Sequence, residues 1–170
     1  MMCGITGTPG TGKSMIADEL ARRGHTVVHI TETVGPYVTG EDEKRDVQII
    51  DVDRWVAEFK PVDGFVEGHF AHLLPCDRVV VLRCRPDELA ARLEQRKYRE
   101  AKIRENTEAE ALDSCLIETI EEHDPSHIFE LDTTGRDAAY CADRIEAFVR
   151  GEIPADFGHI DWSSYLEAHL

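Results

Sequence analysis

Long apolar runs are missing from this 170-residue chain, and basic residues are scarce in it. No stretch approaches the roughly 20 apolar residues that a membrane-spanning helix requires, so the sequence offers no such span. Lys and Arg number 19 against 34 Asp and Glu, a formal net charge of −15. A chain so acidic repels phosphate backbones over most of its surface, and direct, broad nucleic-acid binding is not expected. The five cysteines, Cys3, Cys76, Cys84, Cys115 and Cys141, are odd in number and contain no C-x-x-C pair. They read as reduced core residues of a cytoplasmic protein rather than as a disulfide frame or a zinc knuckle. No secretory leader is expected, because residues 1–6 already read as a strand. There is no internal repeat, and the length suits one domain with a core of its own.

Residues 7–14, GTPGTGKS, satisfy the phosphate-loop pattern G-x-x-x-x-G-K-[ST] at every required position. Glycines let successive backbone N–H groups turn toward a phosphate, and a helix opening at Lys13 aims its positive end at the same anion. The Lys13 ammonium then reaches the outer phosphates of a nucleotide such as ATP, and the Ser14 hydroxyl is placed to ligate Mg2+. The flanks agree: residues 1–6 are largely apolar, and residues 14–23 carry Ile16, Ala17 and Leu20 at helical spacing. A Gly-rich turn that only caps a helix would not require Lys and Ser after its last glycine.

Further strands are expected at residues 25–30, 64–67, 78–84 and 127–131. Helices are expected at 53–59, from Pro86 to about Arg96, from Asn106 along the stripe Ala109, Leu112, Leu116 and Ile120, and at 137–150. Residues 31–50, with the breakers Gly35, Pro36 and Gly40, read as a long polar loop. Strands alternating with helices make this an α/β protein: a five-stranded parallel sheet flanked by helices, with ligands at the carboxyl ends of its strands. Residues 151–170 fall outside that pattern; Phe157, Trp162 and Tyr165 favour a tail packed on the domain or on a partner.

Charge is unevenly placed. Residues 92–104 hold six bases against two acids, whereas residues 105–132 hold ten acids and neither Lys nor Arg. The basic segment suits a clamp on polyphosphate, and the spacing of Arg92, Arg96 and Arg99 would set them on one helical face. The acidic block suits a basic partner or a salt-rich cytoplasm. Glu67 ends the short apolar strand at the expected ligand edge and is the candidate carboxylate near Mg2+; the alternative is a strand end in solvent. Its neighbour His69 continues the turn, with a surface role as the alternative. Glu67, His69 and His72 lack a fourth ligand and zinc-like spacing. Pro125 separates His123 from His127, which denies them a shared helix face.

Together, GTPGTGKS, IIDVDR at 49–54, EGHFAHLLPCDRVVVLR at 67–83 and RLEQRKYREAKIREN at 92–106 resemble one family. It is the archaeal family designated "putative adenylate kinase", of the branch related to eukaryotic nuclear adenylate kinase (CINAP-like). The resemblance covers residues 1–150. It implies a P-loop NTPase fold with an acceptor-binding segment at about 30–51, a short lid at about 95–105, and a C-terminal extension at 151–170. It implies phosphoryl transfer from ATP to AMP or a related nucleoside monophosphate. It also implies ATPase activity and a part in small ribosomal subunit maturation through a basic ribosomal protein. By position, Gly10, Gly12, Lys13, Ser14 and the backbone of Met15 would bind ATP phosphates, and Arg96 would be the lid arginine. Glu67 and His69 would occupy the family's D-x-H turn, with Ser14 and Glu67 serving Mg2+, Glu67 through water. The chain departs from the family in having Glu67 for Asp, Met15 for a second hydroxyl, and Thr31-Glu32-Thr33-Val34-Gly35 in place of Gly-Asp-Leu. A kinase of a nucleoside or a vitamin is a further reading of the phosphate loop alone.

Overall fold

Strands joined by crossovers that return the chain to the same end of the sheet pair in parallel. The computed structural model describes residues 1–169. Strands β1 (Met2–Gly7) and β2 (Val27–His29) are followed by an antiparallel hairpin, β3 (Val38–Asp42) and β4 (Val47–Ile50), and then by β5 (Gly64–Glu67), β6 (Arg78–Arg83) and β7 (Ile128–Asp132). The five outside the hairpin form one sheet in the order β2-β5-β1-β6-β7, every neighbouring pair parallel. The helices are α1 (Lys13–Arg22), α2 (Val52–Glu58), α3 (Pro86–Gln95), α4 (Glu100–Ala111), α5 (Ser114–Glu122), α6 (Ala138–Val149) and α7 (Ser163–His169). Among the described residues no helix is long and apolar enough to cross a membrane.

The sheet is buried on both faces, as an all-parallel sheet must be. Period-2 alternation in β6 sends Val80 and Leu82 toward Ile16 and Leu20 of α1 and Ile145 and Phe148 of α6. Val79 and Val81 go the other way, toward Trp55 of α2 and Leu116 of α5. Beyond the carboxyl edge, α3 and α4 meet over Leu89, Leu93, Tyr98 and Ile103.

Three segments differ from the sequence expectation. Residues 31–50 are not a loop. Gly35 and Pro36 begin a 3-10 turn, Gly40 lies at an irregularity in the hairpin register, and the Asp42 carboxylate accepts from the Lys44 and Arg45 N–H groups to close the hairpin turn. The breakers mark a turn and a bulge, both compatible with strands. The helix expected to begin at Asn106 starts at Glu100, with Asn106 in its interior donating to the Lys102 carbonyl. It is also two helices: Asp113 adopts φ 56° and turns the chain into α5, leaving Leu112 57% exposed. The cause is Arg83, which is 1% exposed and donates to both the carbonyl and carboxylate of Glu110 and to the carboxylates of Asp113 and Glu130. Third, the basic segment does not form one face. The helix α3 stops at Gln95, Lys97 takes φ 59°, and Arg99 caps α4, so only Arg92 and Arg96 belong to α3 and its cap.

After α6 the chain runs along the free edge of β7. The Glu130 N–H donates to the Asp156 carbonyl and the Asp156 N–H to the Ile128 carbonyl. Gly158 N–H donates to the second oxygen of the Glu130 carboxylate, and α7 then rests on α4. This covers an edge that would otherwise offer unpaired backbone groups.

Gly68, in the turn after β5, is packed so closely that a Cβ there would lie 2.1 Å from Ile30 Cγ1. Gly68→Ala is expected to lower unfolding stability by about 2 kcal/mol through overpacking. Urea denaturation checks this, and a variant as stable as the native chain would show that Ile30 has room to retreat.

Candidate functional site

The parallel register gathers the ends of the strands on one edge: His29 lies opposite Glu67, Ile5 opposite Glu67, Gly7 opposite Leu82, and Arg83 opposite Asp132. Residues that follow those positions share one corner of the molecule, although Ile5 and Asp132 lie in the first and the last of the strands, β1 and β7.

The loop between β1 and α1 is the floor of that corner. Gly10 and Gly12 carry φ of 94° and 103°, conformations that L side chains rarely adopt. A Cβ on Gly10 would also lie 2.8 Å from Leu89 Cδ1, so α3 packs directly on the loop. The helix α1 has no side-chain cap. Its first turn leaves the N–H groups of Lys13, Ser14 and Met15 without an acceptor among the described residues, which suits an anion. Ser14 and the Met15 side chain are exposed at this opening.

Lys13 is buried, and its ammonium donates to the carbonyls of Gly7 at 2.7 Å and Thr8 at 3.0 Å. Burial lowers its pKa to about 8; the nearby Cys115, Glu67 and Glu110 pull it up, and Arg96 pushes it down. A buried cation satisfied by only two carbonyls is a ready partner for phosphate.

Glu67 does not end in solvent. It is 7% exposed, and one carboxylate oxygen accepts from His29 Nδ1 at 2.6 Å, leaving the other oxygen to the site. That hydrogen bond is the main cause that raises the His29 pKa. His69 stands at the rim and donates from Nδ1 to the Gly7 carbonyl at 3.1 Å, the same oxygen that Lys13 uses. The carbonyl can only accept, so the proton is on Nδ1 and Nε2 keeps its lone pair. Withdrawal from water, and next the Lys13 charge, hold the His69 pKa below its ordinary value. His72 faces elsewhere, between the Thr6 hydroxyl at 2.8 Å and Glu118 at 2.9 Å.

A cleft of about 570 Å³ opens beside the loop, bounded by Gly12, Arg92, Arg96, Thr133 and Arg136. Arg92 is tied to the Thr133 carbonyl at 3.1 Å and forms an ion pair with Glu88, while Arg96 caps α3 with its side chain exposed. Among the described residues, no three His, Cys, Asp or Glu side chains converge to hold a metal ion. The oxygens of Ser14 and Glu67 are hard donors and few. Such a set fits Mg2+, which takes most of its ligands from water and phosphate, and does not fit a metal needing a full protein cage.

Sequence reasoning did not anticipate His29, Arg136, or the pair Thr8 and Glu110. The Thr8 hydroxyl donates to the Glu110 carboxylate at 2.6 Å, and Glu110 is 1% exposed. By charge Glu110 belongs to the acidic block of residues 105–132, yet it faces inward. The alanines on either side of it, Ala109 and Ala111, were the one local signal of an inward-facing position.

Residues 3–113 match the protein family described as "AAA domain". The chain is 40% identical to a protein named "Putative adenylate kinase" from Archaeoglobus fulgidus, over 100% of this chain and 96% of that one. A protein of the same name from Natronomonas pharaonis is 41% identical, over 98% of this chain and 100% of its own length. Among solved structures, deoxyadenosine kinase from M. mycoides with bound dATP superposes with a TM-score of 0.56 at 13% identity, covering 88% of this chain and 100% of that one. A sugar kinase from Janibacter sp. gives 0.58 at 18% identity, covering 88% and 94%. At those identities the likeness concerns the fold.

The Lys13 pKa sets a pH dependence. Below about pH 8 the free protein carries the charged ammonium; above it the neutral amine. A phosphate beside the group favours the charged form, so binding raises its pKa and draws in a proton. ATP affinity is therefore expected to hold below that pH and to fall above it by up to about tenfold per pH unit, the γ-phosphate being fully ionised there. Calorimetry in buffers of different ionisation enthalpy measures the proton uptake; an affinity that stays flat to about pH 9.5 contradicts it.

Proposed function

The chain belongs to the archaeal family named "putative adenylate kinase", and from that premise we propose that it is a nucleoside monophosphate kinase. It transfers the terminal phosphoryl group of ATP to a phosphate oxygen of AMP or a related monophosphate, so that two nucleoside diphosphates leave. The observation that carries the reading is the convergence of buried Lys13, Glu67 and His69 on one sheet edge, beside a cleft bounded by Arg92 and Arg96.

Phosphoryl transfer depends on positioning and charge neutralisation more than on covalent chemistry. Gly10, Gly12 and the N–H groups of Lys13, Ser14 and Met15 would hold the ATP phosphates. Lys13 would keep the Thr8 carbonyl that aims it and turn its remaining N–H donors to phosphate oxygens, taking its full charge as it does so. Arg96, on the turn between α3 and α4, would move with a lid of residues 95–105 to cover the transferred group and exclude water. The hairpin and the turns before it, residues 30–51, would bind the acceptor. Ser14 and Glu67, the latter through water, would hold Mg2+, which supplies charge neutralisation at the phosphates. The lone pair on His69 Nε2 would orient a water molecule or an acceptor oxygen, with its ring fixed by the Gly7 carbonyl.

A second reading gives the site to ATP hydrolysis in the service of assembly. It follows the branch related to eukaryotic nuclear adenylate kinase, with kinase turnover incidental, a cytoplasmic location and a basic small-subunit ribosomal protein as partner. The net charge of −15 supports it through long-range attraction. The structure narrows that surface, because Glu110 and Glu130 of the acidic block are turned inward onto Arg83.

Phosphorus NMR with Mg2+ and ATP, with and without AMP, separates the two. ADP formed from both nucleotides without free phosphate is the kinase outcome; phosphate release indifferent to AMP is the ATPase outcome. Lys13→Ala is expected to lower either rate at least about a hundredfold, or about 2.7 kcal/mol of transition-state stabilisation. A variant that keeps more than about half the native rate would remove Lys13 from the chemistry. Under the second reading, a basic ribosomal protein is recovered from native extract at low salt and lost at high salt. Recovery of none in any nucleotide state ends that reading.

A further inference from the structure

The phosphate-loop pattern prescribes glycines, a lysine and a hydroxyl, and leaves the second residue of the loop open. In this chain that residue is Thr8, which is 3% exposed, and its side chain leaves the loop altogether. Its hydroxyl donates at 2.6 Å to Glu110, near the C-terminal end of α4, 102 positions away. Glu110 is fully engaged. One carboxylate oxygen accepts from Thr8; the other accepts from Arg83 Nε at 2.8 Å and from the Cys84 N–H at 3.0 Å. The main chain of Thr8 carries the opposite load. Its carbonyl accepts from the Thr11 N–H at 3.2 Å, the Thr11 hydroxyl at 2.8 Å and the Lys13 ammonium at 3.0 Å.

We propose that Glu110 is a positioning residue for the phosphate loop: by holding Thr8 from α4, it sets the carbonyl that aims Lys13. The hydrogen bond is charge-assisted and both of its partners are out of water, so no solvent molecule replaces either one when the other is lost. The same carboxylate is clamped by Arg83, itself braced by Glu130 and Asp113. Its anchor is therefore the sheet and not the mobile surface of a helix. Glu110 touches no phosphate and acts on the nucleotide only through Thr8 and Lys13. The helix that leads out of the basic segment is thereby coupled to the loop that would grip ATP. The role rests on the nucleotide-kinase reading for its substrate.

Thr8→Val keeps the shape of the side chain and removes the donor; Thr8→Ser restores the donor. Calorimetric titration with ATP is expected to show affinity reduced about tenfold in Thr8→Val and returned to within about twofold of native in Thr8→Ser. In turnover, Thr8→Val is expected to raise the KM for ATP while the KM for the monophosphate stays unchanged. A merely destabilised loop would lower kcat by reducing the folded fraction and would leave both KM values alone. Thr8→Ala, which removes the donor without a second methyl in its place, is expected to weaken ATP binding in the same direction and decides the question if Thr8→Val does not fold. ATP bound within about twofold of native by either folded variant, or equally poorly by Thr8→Ser and Thr8→Val, overturns the proposal. ATP bound by the native protein without transfer to any monophosphate overturns the kinase reading alone, and the binding comparison still tests Glu110. No ATP binding by the native protein overturns both.

Discussion

Arg83 sits at the end of the central strand pair, out of water, with three carboxylates around its guanidinium. Burial alone would lower its pKa; the charge and hydrogen bond of Glu110, with Glu130 and Asp113, more than reverse this and raise it. A buried ion cluster is poor evidence for net stability, because desolvating the charges offsets much of their attraction. Its consequence here is specificity of arrangement. Glu110 and Asp113 mark the end of α4 and the sharp turn into α5, and Glu130 holds β7 while its second oxygen receives the tail at Gly158. Removing the cation would leave three acids facing one another at the junction of sheet, helix and tail.

The site obeys a related constraint. Parallel strands deliver their carboxyl ends to one edge, and that edge is where backbone dipoles, glycines and the start of α1 favour negative charge. Within a protein of net charge −15 this requires local compensation. Lys13 provides it from below, Arg92 and Arg96 from the cleft wall. Glu67, turned toward His29, keeps one oxygen committed and one free. The buried ammonium of Lys13 costs desolvation energy in the free protein and would recover it against an anion, an arrangement that suits phosphate.

Much of this was legible in the chain. The glycine, lysine and serine spacing of residues 7–14 carries its own geometry, since only glycines accept those dihedrals and only a following helix presents free N–H groups. The runs GFVE and RVVVLR could hardly be other than buried strands, and Pro86 with Asp87 and Glu88 marks a helix start. These signals are local: a few adjacent residues contain the whole physical reason. Residues 31–50 misled because Gly, Pro and charge serve loops and bulged hairpins alike, and only cross-strand pairing separates the two.

Glu110 and Asp113 misled for a different reason. A carboxylate is an exposed charge unless a cation comes to meet it, and the cation, Arg83, lies almost thirty positions earlier on a strand. Likewise the partners of Glu67 and Thr8 lie 38 and 102 positions away. The phosphate-loop pattern and the alternation of strands with helices that makes a parallel sheet follow from neighbours in sequence. Which acids face inward, where the long helix breaks, and what holds Thr8 follow from contacts made only when the sheet closes. Long-range electrostatic pairing in a dry interior has no counterpart in the local pattern of residues.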